Sequence, residues 1–409
     1  MCGIAVSVLA PGHCPLEETR AVRAMIDAFL HRGPDGSAVL ADEENGVRFG
    51  HARLAIGDLS ENGLQPMTNE TGDVWLVCNG EVYNHAALRP SLEARGHRFR
   101  SRSDSEVILH LYEEHGASLI DHLDGKFAFA VWDAGRRILL LARDRLGVKP
   151  LYYHSRGERF LFASSPKAIL EHPDVGVDLS REGVWHYLTF NCLPAPHTLF
   201  AGIRKLPAGC RLLLRPGQEP RVETYWDLPS PVPHAGARGD AEEELRTLLR
   251  AAAEKRMMAD VPVGAPSLLP NLLLAREARR DGIPVVQVGE GADELFFGYA
   301  ANRRGLLLQR FFWKHVADLP LGARRAAHRA LEGPLRFAGD ISPENALDLT
   351  LREGFRRSAT GERGLFDPQE TRRLFDEHRR GSPAAFYPIW TLFILALWHD
   401  RWIAGRRGA

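Results

Sequence analysis

Cysteine is scarce in this sequence, and its spacing is irregular. The 409 residues include five cysteines and no Cys-x-x-Cys pair: Cys2, Cys14, Cys78, Cys192 and Cys210. An odd number without regular spacing does not fit a disulfide framework or a zinc site built on cysteine. A reducing cytoplasm is therefore the expected compartment. Four of the cysteines are expected to be small core residues, whereas Cys2 stands apart because of its position.

Excess charge and long hydrophobic runs are also lacking. Lys and Arg together number 52, as do Asp and Glu, so net charge gives no electrostatic reason to expect a nucleic acid or an anionic membrane as a partner. The apolar run from Ala384 to Trp398 is interrupted by Pro388 and is shorter than the roughly 20 residues of a membrane span. It predicts a buried core helix. The amino terminus lacks the basic region of a secretory signal.

The first half of the chain is rich in strand patterns. Residues 127–144, 151–165 and 210–226 each contain two β-rich runs around a turn, which predicts three hairpins. Helical periodicity occurs over Thr19–His31 and Ser105–His115. Consecutive hairpins with a few helices predict an antiparallel α+β layered domain.

The pattern of the sequence changes from strands to helices after a Pro- and Gly-rich stretch. Residues 227–240 have the composition of a linker. Beyond them, periodicity predicts helices over Ala241–Met258, Leu268–Arg280 and Arg303–Ala330, with one short parallel-type strand at Ile283–Val288.

Cys2 occupies a position with chemical consequences. Met1 precedes a small residue, the context in which the initiator methionine is readily removed, and its removal leaves a cysteine with both a thiol and a free α-amino group. Because an α-amine has a pKa near ~8, it is able to act as general base for its own side chain without a separate histidine. Cys2 alone is weak evidence, since any second residue can be cysteine.

Five ordered segments follow Cys2 along the chain. They are HRGPDG (31–36), HARLAIGDLS (51–60), NGEVYNH (79–85), SDSEVIL (103–109) and RDRLGVKPLYY (143–153). In order and spacing they resemble the class II glutamine amidotransferase domain of asparagine synthetases, over most of the first 170 residues. The resemblance implies an α+β N-terminal-nucleophile hydrolase sandwich that releases ammonia from glutamine.

The chemistry of individual residues in these segments fits a glutamine substrate. Arg53 has the planar fork that binds a carboxylate through two hydrogen bonds. Glu81 and Asp104 suit the substrate ammonium. The Asn79 side-chain amide and the Gly80 backbone N–H resemble the oxyanion hole of the family, and Gly80 also allows a close approach of the backbone.

Each of these assignments has a structural alternative. Arg53 is alternatively a surface cation, Asp104 the N-cap of the helix that follows it, and Asn79–Gly80 a hairpin turn. Their occurrence in this order with Cys2 favours the catalytic interpretation. His31 and Asp35 are expected to shape the pocket rather than to take part in the chemistry.

The second half also resembles asparagine synthetases, but with a gap. The resemblance is carried by residues 256–265, 289–299 and 392–402. In the family, a strand leads into a Ser-Gly-Gly-x-Asp-Ser loop whose backbone N–H groups bind the pyrophosphate of ATP. Residues 261–271, VPVGAPSLLPN, contain no such loop. Several βα units of ~30 residues each are missing.

Acidic residues of the family's synthetase site persist after the gap. Glu290 and Asp293 match residues near the transferred group and Mg²⁺, but Mg²⁺ in such sites is shared with nucleotide phosphates. Acids in the first turn of a helix also interact well with its dipole, and this structural alternative receives more weight here. Phe297 stands where the family usually has Gly, and Ser165 where it usually has Glu.

These observations predict three segments. Residues 1–226 form a class II glutamine amidotransferase domain, 227–240 a linker, and 241–409 a truncated, mostly helical remnant of an α/β ATP-pyrophosphatase-type synthetase domain. Hydrolysis of glutamine to glutamate and ammonia needs no cofactor and no metal, whereas ATP and Mg²⁺ are the cofactors of the family. The expected partners are glutamine and either an ammonia-accepting synthetase or a second copy of the chain.

Two other functions remain open from the sequence. The chain is alternatively a functional asparagine synthetase, which transfers the amide from glutamine to aspartate with an ATP site of another form. It is alternatively a non-catalytic, amidotransferase-like subunit that regulates a complete synthetase. Intact Cys2 and oxyanion residues speak against the second of these.

Loss of the phosphate loop leads to a prediction about ATP. Pyrophosphate needs several converging N–H groups and a metal, and Pro266 and Pro270 have no N–H to give. We expect titration calorimetry with ATP and Mg²⁺ to show no binding at millimolar ligand, with or without aspartate. Micromolar binding, or pyrophosphate release on addition of aspartate and glutamine, would contradict this expectation.

Overall fold

The computed structural model describes the chain in several ranges. They are residues 2–9, 15–190, 192–230, 238–256, 258–260, 263–264, 285–286 and 368–379, with 389, 391–392, 395, 398–399 and 402–403. The chain divides into two compact units, Met1–Val263 with Gly282–Val285, and Gly264–Asp281 with Val286–Ala409.

The first unit contains two six-stranded sheets with antiparallel pairing. The first sheet has the order β10-β8-β9-β1-β3-β2. Its strands are β1 (Gly3–Leu9), β2 (Ser37–Asp42), β3 (Val47–Ala52), β8 (Tyr152–Arg156), β9 (Arg159–Ala163) and β10 (Ile203–Lys205). The second sheet has the order β12-β11-β7-β6-β5-β4. Its strands are β4 (Met67–Thr68), β5 (Val74–Val82), β6 (Gly125–Asp133), β7 (Ile138–Arg143), β11 (Cys210–Leu214) and β12 (Arg221–Thr224).

Helices connect and cover these strands. They are α1 (Pro15–Asp27), α2 (His85–Ala94), α3 (Val107–His115), α4 (Pro166–Ile169), α5 (Arg181–Phe190) and α6 (Arg238–Arg256), with short 3-10 helices at Glu61–Gly63, Asp104–Glu106 and Gly116–His122. Further along the chain the structure describes β13 (Val263–Gly264), β14 (Val285–Val286) and α7 (Pro368–Arg379). No helix within the described ranges has both the length and the apolar character needed to cross a bilayer.

The main core lies between the two sheets. Ile4 and Val6 of β1 belong to one buried cluster with Trp75 and Val77 of β5. Because side chains alternate along a strand, the other face of each sheet needs its own cover. On the second sheet, Leu76 packs with residues of α3 in a second cluster, and α1 packs against β1 and β3 of the first sheet. The predicted α+β sandwich is confirmed.

Local predictions agree with the structure in part. All three hairpins form, as β6–β7, β8–β9 and β11–β12. The first helix covers Pro15–Asp27 rather than Thr19–His31, because the chain turns after Asp27, with the Phe29 N–H bonded to the Ile26 carbonyl at 2.8 Å. Helix α6 begins at Arg238, inside the predicted linker.

Of the remaining sequence predictions, some are confirmed, one is wrong and others concern residues outside the described ranges. Cys78 and Cys210 are buried as expected, but Cys192 is exposed, so its assignment to the core was wrong. Cys14 and the helices predicted over 268–280 and 303–330 lie outside the described residues. Within the predicted core helix near the end of the chain, Ile389 and Leu395 are buried.

Candidate active site

The inner face of the second sheet changes from apolar to polar toward the end of β5. Trp75 and Val77 lie in the inter-sheet core, and alternate residues of a strand share a face. Asn79 and Glu81 therefore face the same side as this core. Lys126 of β6 is the cross-strand partner of Glu81, and its Nζ lies 3.1 Å from Glu81 Oε2.

The first sheet presents polar residues to the same layer. Val47 and Phe49 of β3 are in the inter-sheet core, so the alternation directs His51 and Arg53 inward. Strand β1 pairs with β3 so that Gly3 lies opposite Ala52, which brings Cys2 beside Leu54. The Leu54 N–H donates to Cys2 Sγ at 3.4 Å, and the Cys2 thiol lies 3.6 Å from the Leu54 carbonyl oxygen.

Arg53 is held in place by backbone carbonyls. The residue is only 7% exposed, so the surface-cation alternative is wrong. Its Nη1 donates to the Ser60 carbonyl at 2.9 Å, and its Nη2 donates to the Asp58 carbonyl. The Asp58 carboxylate in turn accepts hydrogen bonds from the Ser60 N–H and from the Arg102 N–H at 2.8 Å. The guanidinium plane is thereby fixed before any ligand arrives.

The loop 31–36 supports the same segment from the other side. The Asp35 N–H donates to the Arg53 carbonyl at 2.9 Å, and the Arg53 N–H donates to the Gly36 carbonyl at 2.8 Å. The Asp35 carboxylate accepts from the Ala55 N–H at 2.8 Å. His31 is exposed. Asp35 thus holds the backbone that carries Arg53.

Asn79 and Gly80 lie inside β5, opposite Ala128 and Phe127, so the hairpin-turn alternative is wrong. A Cβ at Gly80 would lie 2.6 Å from the Lys126 carbonyl oxygen, which only glycine avoids. Asn79 is 1% exposed, and its Nδ2 has no hydrogen-bond partner among the residues that the structure describes. An unpaired buried donor costs free energy unless a ligand completes it.

Asp104 faces β5 rather than capping a helix. The cap of the 3-10 helix is Ser103, whose hydroxyl accepts from the Ser105 N–H at 3.3 Å, so the capping alternative for Asp104 is wrong. Asp104 Oδ2 instead accepts from the Val82 N–H at 2.6 Å. Burial, together with the charge of Glu81, raises the pKa of Asp104 although this hydrogen bond opposes the rise. A cation close to Asp104 and Glu81 would oppose this rise in the pKa of Asp104.

Lys149 is a buried cation near Cys2 to which the sequence analysis gave no role. The residue is 7% exposed. Burial, followed by the charge of Lys126, lowers the pKa of Lys149, while the charges of Glu81 and Cys2 act in the opposite direction. Lys149 lies within the quoted segment RDRLGVKPLYY, but its burial follows from the fold and leaves no mark in the sequence.

The backbone that carries Lys149 is anchored by the start of the same segment. Arg143 Nε donates to the Lys149 carbonyl at 2.7 Å. The Asp144 carboxylate accepts from the Val148 N–H at 2.8 Å and from the Lys149 N–H at 2.9 Å. This turn therefore presents the lysine in a fixed position.

Residues after α6 also contact the loop that holds Arg53. The Asp58 N–H donates to Asp260 Oδ2 at 2.8 Å, and the Asp260 N–H donates to the Ile56 carbonyl at 2.9 Å. Lys255 Nζ lies 2.7 Å from Asp124 Oδ2. The contacts of Asp260 could not be predicted from the sequence, because Asp260 is about 200 positions away from its partners in the chain.

Of the residues predicted from the synthetase resemblance, the structure describes Ser165. Glu290, Asp293 and Phe297 lie outside the described residues, so their roles stay predictions. Ser165, which replaces the family's usual Glu, caps α4 by accepting from the Lys167 N–H at 3.2 Å.

Comparison with curated proteins finds asparagine synthetases and an amidase that each match between 61% and 65% of this chain. Asparagine synthetase [glutamine-hydrolyzing] 3 of Bacillus subtilis is 41% identical over 252 residues, which are 61% of this chain and 40% of the relative. Asparagine synthetase [glutamine-hydrolyzing] 1 of the same organism is 33% identical, with 65% of this chain and 41% of the relative covered. Amidase chry2 of Gibberella zeae is 34% identical, with 64% and 40% covered. The chain thus matches about two-fifths of the length of these relatives.

Two sequence families match the chain. The family described as Asparagine synthase matches residues 264–343, and the family described as Glutamine amidotransferase domain matches residues 1–226. The second match covers more than half of the 409 residues. The chain therefore belongs to the glutamine amidotransferase domain family and is a protein like the glutamine-hydrolysing asparagine synthetases.

Proposed function

We propose that this protein hydrolyses glutamine to glutamate and ammonia, with Cys2 as the nucleophile. The observation that carries the proposal is the buried Asn79 Nδ2, which has no partner within the described residues and faces the inter-sheet layer that Cys2 enters. Such a donor is suited to an oxyanion that exists only during the reaction, because it then costs no rearrangement when charge develops.

Binding of glutamine in this proposal uses the charges on both sides of the layer. Arg53 binds the α-carboxylate through one edge of its guanidinium group. The orientation of this group is already set by the carbonyls of Asp58 and Ser60. Asp104 and Glu81 take the α-ammonium. An ammonium between these acids replaces their mutual repulsion with attraction. The side-chain amide of glutamine then extends toward Cys2.

The chemical steps follow from the residues near Cys2. With Met1 removed, the α-amine accepts the thiol proton while sulfur attacks the amide carbon. Negative charge moves to the amide oxygen, which receives hydrogen bonds from Asn79 Nδ2 and, by the family resemblance, from the Gly80 N–H. The amine returns its proton to the leaving nitrogen, and ammonia departs from a thioester. Water then hydrolyses the thioester to glutamate and restores the thiol.

A neighbouring histidine is not needed as the base. Burial, aided by the charge of Arg53, lowers the pKa of His51 to about 3, so its imidazole is neutral and weakly basic at physiological pH. The α-amine is the group whose ordinary pKa suits the task. Lys149 contributes positive charge beside the thiolate and the oxyanion.

A second candidate function is ATP-dependent transfer of the ammonia to an acceptor such as aspartate. The match of residues 264–343 to the Asparagine synthase family favours it. The absence of the phosphate loop between 261 and 271 opposes it, and on that ground we propose a glutaminase whose synthetase half is inactive. The ATP titration described above separates the two functions.

Replacement of the nucleophile gives the most direct test. We expect Cys2→Ala to lower kcat for glutamate release from glutamine by ~10³-fold or more. Cys192→Ala is the matched control, because Cys192 is exposed and outside the site, and it should keep full activity. Mass spectrometry must establish that Met1 has been removed, since its retention displaces the amine base. Substantial activity in Cys2→Ala would refute the assignment.

The pH dependence of substrate binding tests Asp104. Its pKa is raised, so protonation begins at a higher pH than for an exposed aspartate, whose pKa is about 3.9. As the pH falls through this raised pKa, the negative charge facing the ammonium is lost and KM for glutamine should rise. In Asp104→Asn, KM should be high and nearly constant over the same range. The exposed Asp121→Asn serves as control, and a KM profile unchanged by Asp104→Asn would contradict the placement.

The charge of Lys149 should affect the rate of the chemical steps. We expect Lys149→Gln to lower kcat roughly 10- to 100-fold with little change in KM, because the lost charge acts on the developing anion more than on bound glutamine. Arg145→Gln removes an exposed cation from the same turn and should leave kcat unchanged. Equal losses in both variants would indicate a general change of surface charge instead.

A further inference from the structure

A cluster of two histidines and two glutamates lies apart from the glutamine site. Glu70 follows β4, His97 follows α2, and His110 and Glu113 lie one turn apart on α3. One potential ligand atom from each residue lies within 4.8 Å of those of the other three. The four residues come from three separate segments of the sequence, and the fold of the second sheet with its helices brings these segments together.

Three distances within this cluster are close to those of a tetrahedral metal site. Glu113 Oε2 lies 3.1 Å from His110 Nδ1 and 3.5 Å from His97 Nδ1. Glu70 Oε2 lies 3.7 Å from His110 Nδ1. Bonds of about 2.0–2.2 Å from Zn²⁺ to nitrogen and oxygen place neighbouring ligand atoms roughly 3.3–3.6 Å apart in a tetrahedron. These three distances depart from that range by about 0.2 Å or less, and all four ligand atoms lie within 4.8 Å of one another.

Each carboxylate of the cluster is oriented by a bond to its other oxygen. Glu70 Oε1 accepts from the Arg98 N–H at 2.6 Å, and Glu113 Oε1 accepts from Asn69 Nδ2 at 2.8 Å. In both residues Oε2 remains directed at the histidines. Protein groups that hold the ligand side chains in this way are typical of the outer shell of a metal site.

One of the two histidines, His97, is oriented in a comparable way. Nε2 of His97 lies 2.9 Å from Glu114 Oε1, and Glu114 is paired with Arg95 at 2.6 Å. A carboxylate at this nitrogen fixes the tautomer that leaves Nδ1 unprotonated for a metal. Nε2 of His110 lies 4.0 Å from Glu106 Oε1, which is beyond hydrogen-bond distance. His110 is 1% exposed.

We infer that Glu70, His97, His110 and Glu113 form a structural site for one Zn²⁺ ion or a transition-metal cation of the same type. Two imidazoles suit zinc and disfavour Mg²⁺ or Ca²⁺, which take oxygen ligands. Two carboxylates neutralise the charge of a divalent cation. With four protein ligands the site is closed, as structural zinc sites are, so the metal has no position for a substrate.

The consequence for the fold is a link between three segments. The ion joins the turn between β4 and β5, the segment after α2, and α3. Helix α3 directly follows the 3-10 helix that contains Asp104. Metal binding to the folded state alone stabilises it by mass action, so the segment carrying Asp104 should become more resistant to unfolding.

The test uses the full chain with Cys2→Ala, because an N-terminal cysteine would itself bind zinc. We expect Zn²⁺ to bind with a stoichiometry of one at this site, to raise the midpoint of thermal unfolding, and to be displaced by a chelator with loss of that increase. Co²⁺ bound in its place should give the visible absorption of a tetrahedral nitrogen and oxygen site. Absence of zinc binding below millimolar concentrations would overturn the inference and leave a hydrogen-bonded His/Glu network.

Three variants in the same background locate the ion. His97→Ala and Glu113→Gln should abolish the tetrahedral Co²⁺ spectrum, and Glu114→Gln, which removes the outer carboxylate, should weaken zinc binding about 10- to 100-fold. His186→Ala is the matched control, because it disrupts the separate group formed by Glu182, His186 and His197. Loss of the spectrum in His186→Ala but not in His97→Ala would assign the metal to that other group and refute the site on α3.

Discussion

The alternation of side chains along three strands determines which polar residues face the space between the two sheets. Along β1, β3 and β5 the side chains alternate between two faces, and the face that supplies the inter-sheet core also supplies Cys2, Arg53 and Asn79 at its end. A shift of register by one residue would turn the core residues and the site residues outward together. The packing of residues such as Phe49 and Val77 thus maintains the alignment of the polar groups.

The polar end of the sandwich carries charges of both signs. Glu81 pairs with Lys126, whereas Asp104 and Lys149 have pKa values shifted toward neutrality mainly by burial. Arg53 is fixed by neutral carbonyls rather than by a carboxylate, so its charge is not offset. Under the proposed function, glutamine would supply one carboxylate and one ammonium to these charges at once.

Much of the fold could be predicted from local sequence patterns, whereas only some features of the site residues could be predicted in this way. Alternating hydrophobic residues with Gly-containing turns predicted β6–β7, β8–β9 and β11–β12, since hairpins depend on neighbours in the chain. The end of α1 was misplaced because helical periodicity does not mark the turn at Phe29. Other features depend on contacts between distant segments. They are the burial of Arg53, the capping of the 3-10 helix by Ser103 rather than Asp104, and the neighbours of Lys149. The cluster around His110 also depends on contacts between separate segments, so it could not be predicted from the spacing of its residues in the sequence.

The contact made by Asp260 bears on where this part of the protein ends. The family match stops at residue 226, yet the first compact unit continues to Val263, and the Asp260 carboxylate accepts a hydrogen bond from the same residue whose carbonyl holds Arg53. Cutting the chain at 226 would leave the Asp58 N–H without this acceptor and Asp124 without Lys255. The shortest fragment that retains the described bonds to the Arg53 loop therefore reaches Asp260.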